Sequence, residues 1–211
     1  MDILYFNELT STQTYLVEQL KDKKVSAPIA VIAKKQTAGI GSRDNSWEGG
    51  DGNLFFSFAL DIESLPNDLA LSSASIYFSY IMKELLMDLT DDVWLKWPND
   101  LYQNEHKIGG TITKKIDNIL VCGMGINLKK NSNGFEALNL DIEANILLKN
   151  YLDEVKKYPT WKHIFSKYEI EFERNKSVSA HVKGEHKSLQ NAILREDGSL
   201  TINKKRVYSL R

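Results

Sequence analysis

The sequence predicts an α+β fold, and three observations predict it. Short apolar runs rich in β-branched and aromatic residues, at 29–33 and 54–60, are too brief for helices and read as buried strands. Longer stretches place apolar residues at helical spacing, most clearly 67–89, where Leu69, Ala70, Ser73, Ala74, Tyr77, Ile81 and Leu85 share a face. From Lys176 onward the pattern changes to short alternating runs separated by KGE and EDG turns.

Taken in order, 3–6 (ILYF) is a short strand. Residues 10–20 form a helix with Thr10 or Ser11 as N-cap and Leu16, Val17 and Leu20 on one side. After the strand at 29–33, the segment 34–53 holds five glycines among small polar residues and reads as a long loop. The strand at 54–60 and the helix at 67–89 follow. Strands are then expected at 93–96, at 107–113 and at 119–123, the last continuing through GINL at 125–128. Helices at 141–157 and 160–173 are separated by Pro159, which cannot continue either. The runs 178–182, 188–195, 199–202 and 206–210 suggest a small β-barrel. At ~40 residues it is close to the lower limit for independent folding and is expected to lean on what precedes it. The boundary falls at 172/173, giving a domain over 1–172 and a small one over 173–211.

The chain has 211 residues, 42% of them hydrophobic, with 27 basic against 28 acidic side chains. A net charge of −1 lacks the basic excess of most nucleic-acid binders, so no nucleic-acid partner is expected. One cysteine, Cys122, allows no internal disulfide and fits a reducing compartment. The start of the chain has no basic segment followed by an apolar run, and no apolar stretch reaches the ~20 residues of a membrane span. A soluble, cytoplasmic protein without membrane contact is the expectation.

Three segments carry candidate chemistry. Gly39-Ile40-Gly41 follows a strand, but Asp44 stands where a dinucleotide-binding motif needs its third glycine, and no helix follows. Such a loop can wrap a small ligand with backbone N–H groups, with Trp47 capping it; it can equally be an ordinary surface loop. LKWPNDL at 95–101 turns sharply out of a strand at Trp97-Pro98. Lys96, Asp100 and the nearby Lys107 suit a phosphate ligand, the lysines neutralising it and the carboxylate orienting a lysine or Mg²⁺. A tight turn with a surface ion pair fits the same residues. Finally, Gly109-Gly110 and Gly123/Gly125 place glycines inside two successive strands, either because one ligand lies across the sheet, where Asn127 can read an adenine edge, or because of two β-bulges. Cys122, in an apolar strand, is expected in the core. His181 and His186 lack metal-ligand spacing and read as surface residues. The lysine pairs are expected on solvated faces, with Lys114-Lys115 the best placed to meet an acidic partner.

At this point the residues resemble a known family. QTAGIGSRDNSW (36–47), GNLFFSF (52–58), LKWPNDLY (95–102), KIGG (107–110) and GMGIN (123–127) stand in the order and spacing of biotin protein ligases, and STQTYL (11–16) is similar to that family's N-terminal serine-threonine segment. The resemblance implies a mixed sheet with helices, related to class II aminoacyl-tRNA synthetases, and a C-terminal SH3-like β-barrel. It implies ATP and biotin as substrates, Mg²⁺, and transfer of biotin to a lysine of the biotin carboxyl carrier protein of acetyl-CoA carboxylase. Position by position, Ser11, Thr12 and Gln36 match residues that bind the ureido ring. Gly39 and Gly41 match the loop that closes over biotinyl-adenylate. Trp47 matches the tryptophan beside adenine and Asn127 the asparagine that reads it, with Asn99 assigned to the nucleotide. Lys107 matches the lysine at the biotin carboxylate and phosphate, Lys96 and Asp100 a pair near phosphates and metal. Gly110, Ile112 and Gly123 match the lining of the biotin slot.

The family's loop reads close to GRGRRGRxW. Here Ile40 and Ser42 replace two arginines, so biotin and biotinyl-adenylate are expected to be held less tightly; Arg43, one place along, is assigned to the biotin site, where a shifted loop lets it take one vacated place. Long members carry a DNA-binding, repressing domain ahead of the catalytic strands; this sequence begins almost at the first of them, so no repressor function is expected. Lipoate-protein ligase and a biotin-sensing binding protein are the alternatives. Exposed strand edges permit a sheet-to-sheet homodimer.

Overall fold

A computed structural model describes residues 1–41, 46–47, 52–130, 136–182 and 184–208. The strands are β1 (Asp2–Leu9), β2 (Ile29–Gln36), β3 (Gly39–Ile40), β4 (Ser46–Trp47), β5 (Leu54–Asp61), β6 (Val93–Lys96), β7 (Asp100–Gln103), β8 (His106–Ile116) and β9 (Ile119–Ile126), followed by the short β10 (Ser179–Val182), β11 (Glu185–Ser188), β12 (Ile193–Leu194), β13 (Leu200–Ile202) and β14 (Lys205–Val207). The helices are α1 (Thr12–Lys21), α2 (Ala74–Met87), α3 (Ala144–Val155) and α4 (Trp161–Glu171). Seven strands form one mixed sheet in the order β1-β2-β5-β9-β8-β7-β6, with only β1 and β2 parallel. Among the described residues no helix is long and apolar enough to cross a membrane.

The two faces of this sheet differ in side-chain size. Along β5 the even positions Phe56, Phe58 and Leu60 join Cys122, Met124 and the apolar faces of α2, α3 and α4 in the main core. Phe58 meets Phe78 edge to face at 5.0 Å, and Phe56 meets Tyr151 at 5.4 Å. Each such pair adds about 0.5–1.5 kcal/mol beyond burial. The odd positions Ser57 and Ala59 face α1, whose Leu16, Val17 and Leu20 make a smaller cluster with Ile29, Val31 and Val121. Small side chains on this face leave room beneath the start of α1.

The helix expected over 67–89 begins at Ala74, after a single 3-10 turn at Leu71–Ser73. Asp68, ahead of it, serves another helix: it accepts the backbone N–H groups of Trp161 (3.0 Å) and Lys162 (2.9 Å) at the start of α4. Those donors hold the Asp68 carboxyl below its usual range although burial pushes it up. The strand β7 was not anticipated. It forms because the Trp97-Pro98 turn returns the chain antiparallel to β6, pairing Lys96 with Asp100. The run 188–195 is broken into parts of β11 and β12, since Leu189 and Ala192 turn inward to the core between them.

The five C-terminal strands form a two-stranded sheet (β10-β11) and a three-stranded sheet (β12-β13-β14). Their inward residues Ala180, Val182, Leu189, Ala192, Leu200 and Ile202 belong to the same core as the large sheet, so this small unit leans on what precedes it. The end of α4 and the 3-10 turn after it close one edge of the large sheet. Leu95 N–H donates to Glu171 Oε1 (2.7 Å), Trp97 N–H to Asn175 Oδ1 (2.7 Å), and Asn175 Nδ2 returns a bond to Leu95 O (3.0 Å). Side chains there replace a neighbouring strand.

Candidate active site

A cleft opens on the small-residue face where α1, β2, β5, β8 and β9 converge, and the β3–β4 ribbon lies across it. Its floor comes from register. Ser57 pairs with Gly123, and Gly125 with Gly110, so three strands present small or absent side chains close together. The two glycine-bearing strands are therefore explained by close approach. A Cβ on Gly125 would stand within 2.5 Å of the Trp47 indole, and one on Gly123 2.6 Å from Gln13 Oε1 and 3.1 Å from Ser57 Oγ. A bulge exists too, but in β7–β8, where the register shifts between Leu101 and Tyr102.

The inner end is polar and closed. Ser11 caps α1, its Oγ accepting Thr14 N–H at 3.3 Å. The first backbone N–H of that helix, on Thr12, has no intrahelical partner and donates to Gln36 Oε1 at 2.7 Å. Thr12 Oγ1 also reaches Gln36 Oε1 (3.1 Å) and Ser57 Oγ (2.9 Å). Gln13 is buried, and its Oε1 has no partner, leaving an acceptor directed over Gly123. An unmet acceptor at the end of a polar slot suits a neutral ligand that donates N–H groups.

The mouth is charged. Lys107 Nζ lies 2.7 Å from Asp100 Oδ1 and 5.6 Å from the Trp47 ring centroid. Asn99 is buried, its amide donating to Thr111 O at 2.7 Å, which fixes the chain just before Asp100. Trp47 covers Gly110 and Gly125, and its Nε1 is buried without a partner. Free space in the cleft is about 80 Å³, below the roughly 300–1,000 Å³ of small-molecule sites. The Trp47 indole takes up part of this space above Gly125.

Of the residues named from the sequence, Ser11, Thr12, Gln36, Gly41, Trp47, Asn99, Asp100, Lys107, Gly110, Ile112 and Gly123 all line this cleft, and Gly39 pairs with Trp47 at its rim. Lys96 does not line it. Asp100 is neutralised by Lys107 from β8, and the Lys96 ammonium instead lies 5.1 Å from the Tyr102 ring centroid and 3.4 Å from its hydroxyl. Burial, with the Asp100 charge, raises the pKa of that hydroxyl. Asn127 continues the row of Gly123 and Gly125 past Trp47; its Nδ2 donates to Glu136 O (3.1 Å) while Oδ1 is buried and unmet. Arg43 and Ser42 lie outside the described residues. Gln13, Ser57 and Thr111 were missed. Ser57 carried a signal, being the lone polar residue in LFFSFAL.

Cys122 is fully buried, and burial pushes its thiol well above the usual value, so it is no nucleophile. His181 and His186 face each other across β10–β11 with ring centroids 3.4 Å apart, away from the cleft. The described residues hold no group of three or more His, Cys, Asp or Glu placed to hold a metal ion. Asp100, the one carboxylate among the described lining residues, fits a Mg²⁺ that arrives on a nucleotide, whose phosphates and water supply the other oxygens.

Residues 5–131 match the model of the biotin/lipoate A/B protein ligase family. The chain is 33% identical over 127 residues to the bifunctional ligase/repressor BirA of Escherichia coli, covering 57% of this chain and 38% of that protein. It is 27% identical over 178 residues to the chloroplastic biotin–protein ligase 1 of Arabidopsis thaliana, covering 79% and 47%. The chain thus spans between about two-fifths and half the length of these curated relatives. Over its full length it resembles the crystal structure of the biotin acetyl coenzyme A carboxylase synthetase of Helicobacter pylori, which holds biotinylated ATP, with TM-score 0.92, 40% identity and coverage of 98% of this chain and 99% of that one. Given this match and a cleft with a polar slot behind a lysine–carboxylate mouth, the chain belongs to the biotin/lipoate A/B protein ligase family, among its biotin protein ligases.

Proposed function

We propose that the chain activates biotin with ATP and transfers it to a lysine of a carrier protein, the biotin carboxyl carrier protein of acetyl-CoA carboxylase, in the cytoplasm. One observation carries this reading: a closed polar slot (Thr12, Gln13, Gln36, Ser57) leads straight to the Lys107–Asp100 pair beneath Trp47. A ureido ring offers two N–H donors and a carbonyl, which suits the unmet Gln13 acceptor and the hydroxyls of Thr12 and Ser57. Its valeryl chain then runs over Gly123 and Ile112 and brings the carboxylate to Lys107. A carboxylate oxygen attacks the α-phosphorus of ATP, the bond to pyrophosphate breaks, and a mixed anhydride forms. Lys107 screens the two anions as they meet. Asp100 is the residue that would hold a Mg²⁺ carried in on the phosphates, and that ion would supply further charge neutralisation. Trp47 packs beside the adenine, and the unmet Asn127 Oδ1 accepts from its exocyclic amine. Gly39, Gly41 and Arg43 belong to the segment that shields the anhydride from water. In the second step the carrier's lysine amine attacks the anhydride carbonyl, AMP leaves, and the amine proton passes to solvent.

The test is pyrophosphate release from ATP with biotin or lipoate added, followed by transfer to a carrier domain. Biotin-dependent release and carrier labelling are expected. Release with lipoate alone assigns the chain to lipoate ligation, and release without transfer leaves a sensor. Side-by-side pairing of two copies through the large sheet, which the strand edges permit, would use β1, the edge of that sheet left open among the described residues.

A further inference from the structure

The C-terminal unit does more than fill out the core. Both N–H groups of Trp97 are donated to residues beyond 172: its backbone N–H to Asn175 Oδ1 at 2.7 Å and its indole N–H to Gly198 O at 2.9 Å. Trp97 is 1% exposed and Asn175 fully buried. Gly198 sits in the turn between β12 and β13, closed by Gly198 N–H to Arg195 O at 2.7 Å. Three successive carbonyls of this turn each accept a side-chain donor from the large-sheet body: Glu196 O from Trp161 Nε1 at 2.7 Å, Asp197 O from Ser73 Oγ, and Gly198 O from Trp97 Nε1. The turn is braced from its own side, where Asp197 accepts Ser199 N–H (3.1 Å), Ser199 Oγ (2.6 Å) and Arg206 NH2 (2.8 Å). Gly198 is obligatory there: its φ is +75°, and a Cβ would lie 2.8 Å from Ser73 Oγ and 3.0 Å from Ile76 Cδ1.

Trp97 is two residues from Asn99 and three from Asp100, which line the mouth of the cleft. We propose that the turn 195–199, together with Asn175, is a positioning device for the catalytic mouth, holding Trp97 so that Asn99 and Asp100 meet the nucleotide in register with Lys107. Asn99 is tied on its other side to Thr111 O, so the segment 97–100 is stretched between two anchors, one of them in the C-terminal unit. The inner slot hangs instead on α1, β2 and β5 and has no bond to this turn among the contacts described above. The device therefore governs the nucleotide step and leaves the binding of biotin alone intact. This inference rests on the adenylation reading given above.

The experiment compares Trp97→Phe, which removes the indole N–H, with Trp161→Phe, which removes a donor to the same turn without touching 97–100. Biotin affinity without ATP, kcat and KM for ATP in biotin-dependent pyrophosphate release, and Tm are measured on the full chain. Trp97→Phe is expected to lower kcat/KM for ATP by about tenfold or more, since a displacement near 1 Å is costly in such sites, while the Kd for biotin changes by less than about twofold. Trp161→Phe leaves the Ser73 and Trp97 bonds to the turn in place and is expected to lower Tm with a clearly smaller loss of kcat/KM for ATP than Trp97→Phe. Equal kinetics in the two variants, or a parallel loss of biotin affinity, overturns the proposal. Should Trp97→Phe not fold, 3-benzothienylalanine at that position keeps the shape and omits the N–H. If the wild type releases no pyrophosphate with biotin, the activity reading fails by itself, and amide spectra decide the positioning claim. Shifts at Asn99, Asp100 and Thr111 in Trp97→Phe but not in Trp161→Phe uphold it, and their absence sinks it.

Discussion

At the inner end of the cleft Thr12, Gln36 and Ser57 already hold one another within 3.1 Å, buried or half-buried between α1 and the sheet. At the mouth, Lys107 and Asp100 are joined by one ion pair, with 40% and 21% of their side-chain surfaces still exposed. The inner end is neutral and fixed by hydrogen bonds among its own members; the mouth is ionic, partly exposed and covered by a tryptophan. A fixed neutral slot selects one ligand shape with little reorganisation. A charged mouth stabilises charge that develops only when two anions meet. Recognition and chemistry are thus divided between the two ends of one groove, and changes at each end should be separable.

The largest effect is expected at the mouth. Lys107→Ala should cut biotin-dependent pyrophosphate release by about 10²-fold or more while the thermal melt stays cooperative; a wild-type rate would remove Lys107 from the chemistry. Filling the inner end should act on binding. Gly123→Val brings a Cβ within 2.6 Å of Gln13 Oε1 and 3.1 Å of Ser57 Oγ, a crowding that costs about 1–3 kcal/mol, so calorimetry should show biotin affinity lower by roughly 5- to 150-fold. If ATP binding falls equally, the two ends are not separable. A third change sharpens the loop's part. Ile40 is exposed at the rim, where it donates no charged hydrogen bond. Ile40→Arg with Ser42→Arg should slow dissociation of biotinyl-adenylate by about tenfold, one charged bond's worth. An unchanged off-rate there, with faster release from Arg43→Ala, would show that Arg43 already does the work.

The smallest expected effect lies outside the cleft and concerns pH. Burial pushes the Asp197 carboxyl up, but hydrogen bonds from Ser199 and the Arg206 guanidinium outweigh it and hold the carboxyl below its usual range. A depressed folded-state pKa stabilises the fold above the unfolded value of about 3.9 and loses that stabilisation as pH falls through the folded value. Asp197→Asn should therefore flatten the acid side of the melting-temperature profile below about pH 5. The effect is modest because the pair is partly exposed. An unchanged profile would show that this carboxylate does not couple to folding.

Much of this was legible in the sequence because the strands that build the floor are apolar, β-branched and sharply bounded. The two buried runs at 29–33 and 54–60 lie within β2 and β5, and the glycines at 110, 123 and 125 are adjacent in space as well as suspicious in sequence. What escaped reading was set by tertiary contact. Asp68 has the chemistry of an N-cap, but nothing local says that it caps a helix starting 93 residues later. Lys96 and Asp100 are directly opposed in β6–β7, and only the arrival of Lys107 from β8 decides which lysine the carboxylate takes. Strands of two residues, such as β3 and β4, have no periodicity to detect. The role of Trp97 depended on a turn a hundred residues away.

The side chains of Glu171 and Asn175 along β6 have a consequence for how copies of this protein can associate. A sheet propagates into a fibre only when each copy offers two edges, one to give and one to receive. Here one edge is already occupied by a carboxylate and an amide, and β1 is the remaining one. Strand-to-strand addition at β1 by another copy uses up the open edge of both partners. Growth through this sheet ends at a closed pair, so the large sheet carries a built-in stop against open-ended addition along its own edge.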